Sequence, residues 1–360
     1  MYVAPEQDTA GSVRPPDQDA RAWPAKPLEP LKPGQTAPTI SGTDFALRFA
    51  TMADSVERVI RGKREVVERA LTCLLSGGHL LVEDVPGVGK TTLARCLAAV
   101  IGGRLQRVQF TPDLLPSDVV GVSIFHPGER VFQFHPGPVF ANIVLGDEIN
   151  RASPKTQSAL LEVMEEHTVT VDGVSRPVPR PFMVIATQNP VELAGTYPLP
   201  EAQLDRFLMR VAVGYPDHAA EVAVVRGASS ESLLETLSWP PTSPADIAAM
   251  AEYAAGVHVA DTLYDYAVHL VAATRSLPEL RLGASARASV ALVRTARIRA
   301  AARGRAYVVP DDFKALAEPV LAHRLVLAPE AEQSGRTASD VVASVLHSVP
   351  VPRTAAPVGV

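Results

Sequence analysis

The sequence has little of what marks several other classes of protein. It contains two cysteines among 360 residues, so nothing in it suggests a disulfide framework or a cysteine-based zinc site. No run approaches the ~20 apolar residues of a membrane span, and the N-terminus has no apolar segment of the kind found in secretory signals. We therefore expect a cytoplasmic protein without a membrane span, with Cys73 and Cys96 in its core.

Net charge and aromatic content are also low. The formal net charge is −5 and aromatic residues make up 5% of the chain. No stretch combines aromatic with basic residues in the way that single-strand nucleic-acid binders do. Nucleic acid is therefore not expected as the main partner. Hydrophobic residues reach 47%, which is enough for a sizeable core, and the length allows two domains of ordinary size.

Composition divides the chain into four segments. Residues 1–44 are rich in proline and are predicted to form a disordered tail. Residues 45–216 alternate strand and helix patterns, which predicts a parallel sheet covered on both faces. Residues 217–348 are alanine-rich with helical periodicity and are interpreted as a small helical domain. The alternative is that these helices pack on the same sheet as one domain. Residues 349–360 form a second tail.

Local signals place hairpins and helices within these segments. Two short strands surround residues 126–130 as a hairpin, and Asp172-Gly173 is a type I′ turn signal for another. Ser153 followed by Pro154 predicts a helix N-terminus. In the C-terminal part, helical periodicity covers residues 245–256, 260–275, 284–302 and 310–328.

A glycine-bearing loop between an apolar strand and a helix indicates phosphate binding. Residues 84–92 read DVPGVGKTT, and the first position, Asp84, departs from the glycine of the usual motif. Inward N–H groups and the following helix N-terminus favour phosphate. Lys90 would reach the β- and γ-phosphates of ATP, and Thr91 would hold Mg²⁺. The predicted binding residues are Gly87, Val88, Gly89, Lys90, Thr91 and Thr92.

A second apolar strand ends in two acids. Residues 143–148 read IVLGDE and follow the phosphate loop by about 55 residues, the room that a βαβ crossover with an insertion needs. Asp147 would hold Mg²⁺ through its hydration shell, and Glu148 would activate the attacking water. The residues thus predict an ATPase that uses ATP and Mg²⁺.

The order of these motifs resembles the MoxR family of AAA+ ATPases. The resemblance covers about residues 50–353 and rests on GPVFAN (137–142), DEINRA (147–152), ATQNP (186–190), LPEAQLDRF (199–207) and GASARA (283–288). It implies a P-loop αβα core with a parallel sheet, a C-terminal all-α lid and ATP bound between them. It also implies a homo-oligomeric ring, usually a hexamer, in which a neighbour completes each ATP site.

The resemblance assigns further roles. Asn189 resembles sensor 1, which would orient water together with Glu148. Arg206 resembles the arginine finger presented to the adjacent subunit, with Arg210 as the competing candidate. Arg287 resembles sensor 2 of the lid.

The segment with Val59 and Ile60 matches the one that contacts adenine, although Arg61 and Lys63 depart from the family's usual residues there. The hairpin of residues 122–134 matches the helix-2 insertion, and the hairpin at Asp172-Gly173 matches the pre-sensor hairpin. Both hairpins tend to face the pore or the client in such rings.

The implied function is an ATP-driven, chaperone-like motor that remodels protein clients. Family members commonly act with proteins that carry a von Willebrand factor A domain, and since this chain has no such domain, the partner would be another chain. Two alternatives remain open. One is a nucleic-acid-stimulated ring motor, and the other is an ATP-dependent scaffold with little turnover.

Overall fold

The structure is a computed structural model. It describes residues 40–352 except Pro86, Glu129, residues 190–195 and most of residues 216–241, where only His218, Glu221, Val222, Leu234 and Trp239 are described. The predicted N-terminal tail up to residue 39 and the predicted boundary at residue 217 lie outside the described residues.

The described chain alternates strands and helices and then becomes largely helical, as the sequence predicts. The first part consists of α1 Gly42–Val59, α2 Arg64–Leu75, β1 Leu80–Glu83, α3 Lys90–Val100, β2 Leu105–Gln109, α4 Pro116–Val120, β3 Gly121–His126, β4 Val131–Pro136, β5 Ile143–Asp147, α5 Pro154–Glu166, β6 Thr168–Val171, β7 Val174–Pro177, β8 Met183–Gln188, α6 Glu201–Leu204 and β9 Met209–Val211. The second part consists of α7 Pro244–Ala255, α8 Asp261–Thr274, β10 Leu280–Leu282, α9 Ala286–Ala302, α10 Pro310–Leu321, β11 Val326–Leu327, α11 Pro329–Gln333 and α12 Ala338–Ser348.

The central sheet has five strands in the order β2-β5-β8-β1-β9, and every neighbouring pair is parallel. All five strands therefore end at the same side. We call the side that carries Glu83, Asp147 and Gln188 the carboxyl edge, and the opposite side, where β1, β8 and β9 begin, the amino edge. Loops that follow parallel strands meet at the carboxyl edge, which is where α/β proteins bind their ligands.

Two buried apolar clusters cover the faces of the sheet. One joins Leu160, Met164 and Phe207 to one face. The other joins the opposite face to α1, α2 and α3 and continues into the C-terminal helices through Leu292 and Phe313. The C-terminal helices are thus attached to the core by apolar packing. Cys73 and Cys96 are both buried, which confirms the prediction of core thiols.

Several local predictions are confirmed. Ser153 caps α5 by accepting a hydrogen bond from the Thr156 N–H at 3.4 Å, and Pro154 is the first residue of that helix. The strands β3 and β4 form one antiparallel hairpin, and β6 and β7 form the other around Asp172 and Gly173.

Two element boundaries and one additional sheet differ from the predictions. The first helix begins at Gly42, before the predicted start at residue 45, because Ser41 and Asp44 form a capping box. The helix predicted for residues 310–328 ends at Leu321, because the chain then turns to pair β11 with β10. That antiparallel pair is a short sheet in a part that was predicted to be all helical.

Among the described residues, no helix combines the length and the hydrophobicity that a membrane crossing requires.

Candidate active site

The phosphate loop leaves β1 at the carboxyl edge and leads directly into α3. Gly87 and Gly89 have φ angles of +85° and +94°, a conformation that other residues adopt at a cost. A Cβ atom on either glycine would meet no other protein atom within 4 Å, so within the protein itself it is the backbone conformation that favours glycine at these positions. Helix α3 starts at Lys90, so its first-turn N–H groups, which have no acceptor within the helix, lie at the loop.

Asp84 stabilises the start of the loop. Its Oδ1 accepts a hydrogen bond from the Val85 N–H at 2.8 Å, and its Oδ2 accepts one from the Gly214 N–H at 2.6 Å. The Asp84 carbonyl oxygen accepts a hydrogen bond from Lys90 Nζ. An acid at this position therefore ties the phosphate loop to the chain that leaves β9, which gives a structural reason for the departure from the usual glycine.

Lys90 lies close to three carboxylates. Partial burial lowers its pKa, and the negative charges of Asp84, Asp147 and Glu148 offset part of that effect. The predicted lysine and the two predicted acids are thus near enough to interact electrostatically, although Lys90 begins α3 and the acids lie at the end of β5. A cation beside acids at a helix N-terminus is an arrangement that binds a triphosphate through a divalent metal.

Asp147 ends β5 and has a partner for each oxygen. Its Oδ1 accepts a hydrogen bond from Thr187 Oγ1 at 2.7 Å, and its Oδ2 lies 2.7 Å from the guanidinium of Arg107. Thr187 is itself bonded, since its Oγ1 accepts a hydrogen bond from the Glu148 N–H at 2.9 Å. Thr187 thus fixes both acids relative to β8.

Glu148 has an unusual backbone for a residue other than glycine. Its φ angle is +57°, a left-handed conformation that costs roughly 1–3 kcal/mol when the surroundings impose it. Its Oε2 accepts a hydrogen bond from Gln109 Nε2 at 3.1 Å and lies 3.0 Å from Arg151 Nε. The contact with Gln109, the last residue of β2, places the Glu148 side chain at the carboxyl edge, where a base for a water nucleophile would be required.

The residues at the site suit Mg²⁺ shared with phosphates. No cluster of three or more metal-binding side chains of the His, Cys, Asp or Glu type occurs in the part of the chain that the structure describes. Mg²⁺ is commonly held by one or two protein oxygens together with water and substrate phosphates. Thr91, in the first turn of α3, and Asp147 supply that kind of ligand.

The predicted adenine segment lies at the end of α1. Val59 is the last residue of that helix, and both Val59 and Ile60 are buried. Lys63 donates a hydrogen bond from Nζ to the Tyr215 carbonyl at 2.7 Å, one residue beyond the Gly214 that Asp84 holds. Lys63, which departs from the family's usual residue, therefore connects the start of α2 to the same segment that Asp84 contacts.

Asn189 directly follows β8 and is half-buried. Since β8 lies between β5 and β1, Asn189 is on the carboxyl edge with Glu148 and the phosphate loop. Arg210 also points to this edge, because its guanidinium lies 2.7 Å from Glu83 at the end of β1.

Arg206 and Arg287 lie elsewhere. The guanidinium of Arg206 is 3.0 Å from Glu165 Oε2, and that of Arg287 is 2.8 Å from Glu165 Oε1. Glu165 is in the last turn of α5, the helix that runs from the carboxyl edge to the amino edge. His79 lies just before β1 and therefore at the amino edge. It contacts this end of α5 through a 3.0 Å hydrogen bond between its Nε2 and the Met164 carbonyl.

Both arginines are therefore at the amino edge, across the sheet from Lys90. For Arg287 this differs from a lid that covers the ATP of its own subunit. The cause is a set of contacts that attaches the start of α9 to the core. Asp205 accepts hydrogen bonds from Ser285 Oγ at 2.9 Å and from Arg324 Nε at 2.8 Å. Arg324 is buried and also donates to the Phe207 carbonyl.

Comparison with known proteins relates both parts of the chain to a known family. Residues 79–209 match the model of the ATPase family associated with various cellular activities (AAA), and residues 272–345 match that of the AAA lid domain. YeaC of Bacillus subtilis is 48% identical over 83% of this chain and 93% of its own length. Chaperone MoxR1 of Mycobacterium tuberculosis is 42% identical over 89% of this chain and 88% of its own length.

The chain belongs to the MoxR family of AAA+ ATPases. Protein MoxR of Methylorubrum extorquens is a further relative, 31% identical over 90% of this chain and all of its own length. A crystal structure of a protein from Cytophaga hutchinsonii has a TM-score of 0.79 and 36% identity, and covers 87% of this chain and 97% of its own. As a member of this family the protein binds ATP and hydrolyses it.

The sequence did not identify every polar residue of this MoxR-type site. Thr187 could have been noticed, since it immediately precedes Gln188 and Asn189 in a quoted motif. Arg107 and Gln109 lie in a strand pattern that carries no chemical signal. Glu165 is one of several acids on an exposed helix face, so only the fold reveals its contact with both arginines.

Proposed function

We propose that this ATPase is an energy-driven remodeller of protein clients that works as a homo-oligomeric ring, a hexamer by family resemblance, with each ATP site divided between two subunits. The observation that carries the proposal is the position of Arg206. It lies at the amino edge, whereas Lys90 lies at the carboxyl edge of the same sheet. The four residues of β1 alone separate the two edges by about 13 Å, so Arg206 would act on the ATP of a neighbour.

Within one subunit, the carboxyl edge would bind the nucleotide and activate water. The phosphate loop and Lys90 would bind the phosphates, and Val59 and Ile60 would contact adenine. Thr91 and Asp147 would hold Mg²⁺, which neutralises phosphate charge when it is bound. Glu148 would accept the proton of the attacking water.

The neighbouring subunit would supply positive charge. Asn189 would orient the water from within the subunit, and Arg206 of the next subunit would offset charge on the γ-phosphate oxygens. Arg287, held on the same glutamate as Arg206, would reach the same nucleotide. Arg210 is the weaker candidate for the finger, because its guanidinium is paired with Glu83 beside the phosphate loop of its own subunit.

The proposed partner is a protein, with a von Willebrand factor A domain protein as the first expectation from the family, and the proposed location is the cytoplasm. The hairpin of β3 and β4 supports a protein partner, since Phe125 and Phe132 are 47% and 72% exposed. Exposed aromatic side chains are typical of protein contact sites. The net charge of −5 and the lack of a stretch that combines aromatic with basic residues argue against a nucleic-acid motor. The presence of Glu148, Asn189 and Arg206 together argues against a scaffold with little turnover.

Mixed rings test the divided site. Arg206→Ala and Glu148→Gln should each be nearly inactive alone. In a random one-to-one mixture about a quarter of the interfaces would join an intact Glu148 to an intact Arg206, so turnover should recover to a measurable fraction of wild type. The matched control mixes Lys90→Ala with Glu148→Gln, two changes in the same half of the site, and should recover nothing. Equal recovery in both mixtures, or none in the first, would contradict the proposal.

A further inference from the structure

We propose that Glu165 is a positioning residue that holds Arg206 and Arg287 together as one clamp for the ATP of the neighbouring subunit. The inference rests on the proposed function, because it gives both arginines a target in the next subunit. It adds a residue from α5 that neither the motifs nor the family resemblance singles out.

The contact joins two separate parts of the fold. Arg206 belongs to the segment between α6 and β9 of the core, and Arg287 is in the first turn of α9. Each guanidinium takes a different oxygen of the same carboxylate, at 3.0 and 2.8 Å. One acid therefore links a core cation to a lid cation.

The charges explain why an acid is needed. Two guanidinium groups on one carboxylate are within a few ångströms of each other and repel, and a single negative charge between them offsets that repulsion. Asp205 cannot replace it, because Asp205 lies 4.0 Å from Arg287 and is already bonded to Ser285 and Arg324. Asp205 instead fixes the backbone next to Arg206 and the cap of α9.

Both arginines are exposed enough to reach a ligand. The side chains of Arg206, Glu165 and Arg287 are 31%, 40% and 57% exposed, and Arg206 and Glu165 line an open cleft of about 290 Å³. Ion pairs this exposed contribute little to stability. Each guanidinium has five N–H donors, so both can bind phosphate oxygens while Glu165 retains one contact to each.

The first test measures Glu165→Gln beside Glu162→Gln. Glu162 is on the same helix and lines the same cleft, which makes it a matched control. Glu165→Gln should lower kcat about tenfold or more, because misplaced charge-stabilising groups cost that much, while the KM for ATP and the melting temperature stay close to wild type. Glu162→Gln should lie within about twofold of wild type on this account. A loss of less than twofold in Glu165→Gln would overturn the proposal.

The second test determines which subunit's ATP Glu165 serves. If Glu165 acts with the arginines on the neighbour, mixing Glu165→Gln with Glu148→Gln one to one should raise turnover per subunit about two- to threefold above Glu165→Gln alone, since about a quarter of the interfaces become intact. If Glu165 supports its own subunit's site, the same mixture should fall to about half, by dilution with inactive subunits. A fall would overturn the proposal.

Different outcomes reject the role of Glu165 and the divided site. Recovery in the mixture of Arg206→Ala with Glu148→Gln, but a fall in the mixture that contains Glu165→Gln, would reject the role of Glu165 alone. Failure of the Arg206→Ala mixture would reject the divided site itself.

A third test introduces Glu165→Gln into an Arg287→Ala background. The further loss of activity should be smaller than the loss that Glu165→Gln causes in wild type, because one of the two groups that Glu165 positions is gone. An equal loss in both backgrounds indicates a structural role and contradicts the proposal.

Discussion

The two edges of the sheet differ in how the chain brings their candidate functional residues together. At the carboxyl edge, the phosphate loop, Asp147 and Glu148 follow strand ends and are joined by short-range contacts such as those of Thr187 and Asp84. At the amino edge, Arg206 and Arg287 come from the core and the lid and meet on Glu165. One edge carries the groups proposed to bind the nucleotide, and the other carries the two cations proposed to act on a neighbour. On the proposed function, a subunit would therefore carry two halves of different sites.

The largest expected effect is the loss of turnover when Arg206, at the amino edge, is removed. Arg206→Ala should lower turnover about 10³-fold, the usual contribution of an arginine that meets the γ-phosphate from another subunit. Nucleotide affinity should remain near normal, because Lys90 and the phosphate loop are intact. Steady-state kinetics and a fluorescent-nucleotide titration would measure the two quantities.

Arg210→Ala is the comparison for that result. Its guanidinium contacts Glu83 at the carboxyl edge, so its removal should disturb the binding half of the same subunit, with turnover reduced by less than about tenfold. A larger loss in Arg210→Ala than in Arg206→Ala would make Arg210 the finger and would contradict the assignment of the edges.

The next largest effect is expected from substitutions at the carboxyl edge. Glu148→Gln should keep ATP binding and lose turnover about 10²-fold, because an amide cannot accept the proton of the attacking water. Lys90→Ala should instead lose binding, because the phosphates lose their main cation. Turnover in Glu148→Gln equal to that of wild type would remove Glu148 from the chemistry.

The sequence predicted the carboxyl edge better than the amino edge, for a physical reason. A phosphate loop, a strand that ends in Asp147 and Glu148, and a helix cap at Ser153 are each encoded by adjacent residues, so a local pattern is enough. The contact of Glu165 with Arg206 and Arg287 depends on how α5 and α9 pack, and neither helix carries a local sign of it.

The same reasoning applies to the elements that were missed. The pairing of β10 with β11 and the early end of α10 at Leu321 depend on contacts between distant segments. Arg324 reads as one of many arginines, yet it is buried against Asp205. Single-sequence patterns report neither pairing nor burial of this kind, because both are properties of the packed chain.

The smallest expected effect concerns the stability of the amino edge. His79 Nδ1 accepts a hydrogen bond from the Val184 N–H, and its Nε2 is bonded to the Met164 carbonyl, so His79 fastens α5 to β8. Burial lowers the pKa of His79 from 6.5 to about 4. Between these values the unfolded chain binds a proton that the folded chain does not, so stability is full above about pH 6.5 and falls as the pH falls.

At pH 5 the loss from His79 should be about 2 kcal/mol. Denaturant unfolding at pH 7 and pH 5 would measure it in wild type and in His79→Gln, which cannot titrate in this range. The variant should start with lower stability and show a pH dependence smaller by about that amount. An equal pH dependence in both proteins would show that the titration of His79 does not cause this loss of stability.

The divided site is tested most directly by turnover per subunit as a function of protein concentration, with the state of assembly measured in the same samples by analytical ultracentrifugation. Since Lys90 and Glu148 lie across the sheet from Arg206, an isolated subunit should bind ATP but hydrolyse it about 10³-fold more slowly than the assembled protein. Turnover should therefore rise in step with assembly. Monomers that turn over ATP as fast as the assembled protein would contradict the account.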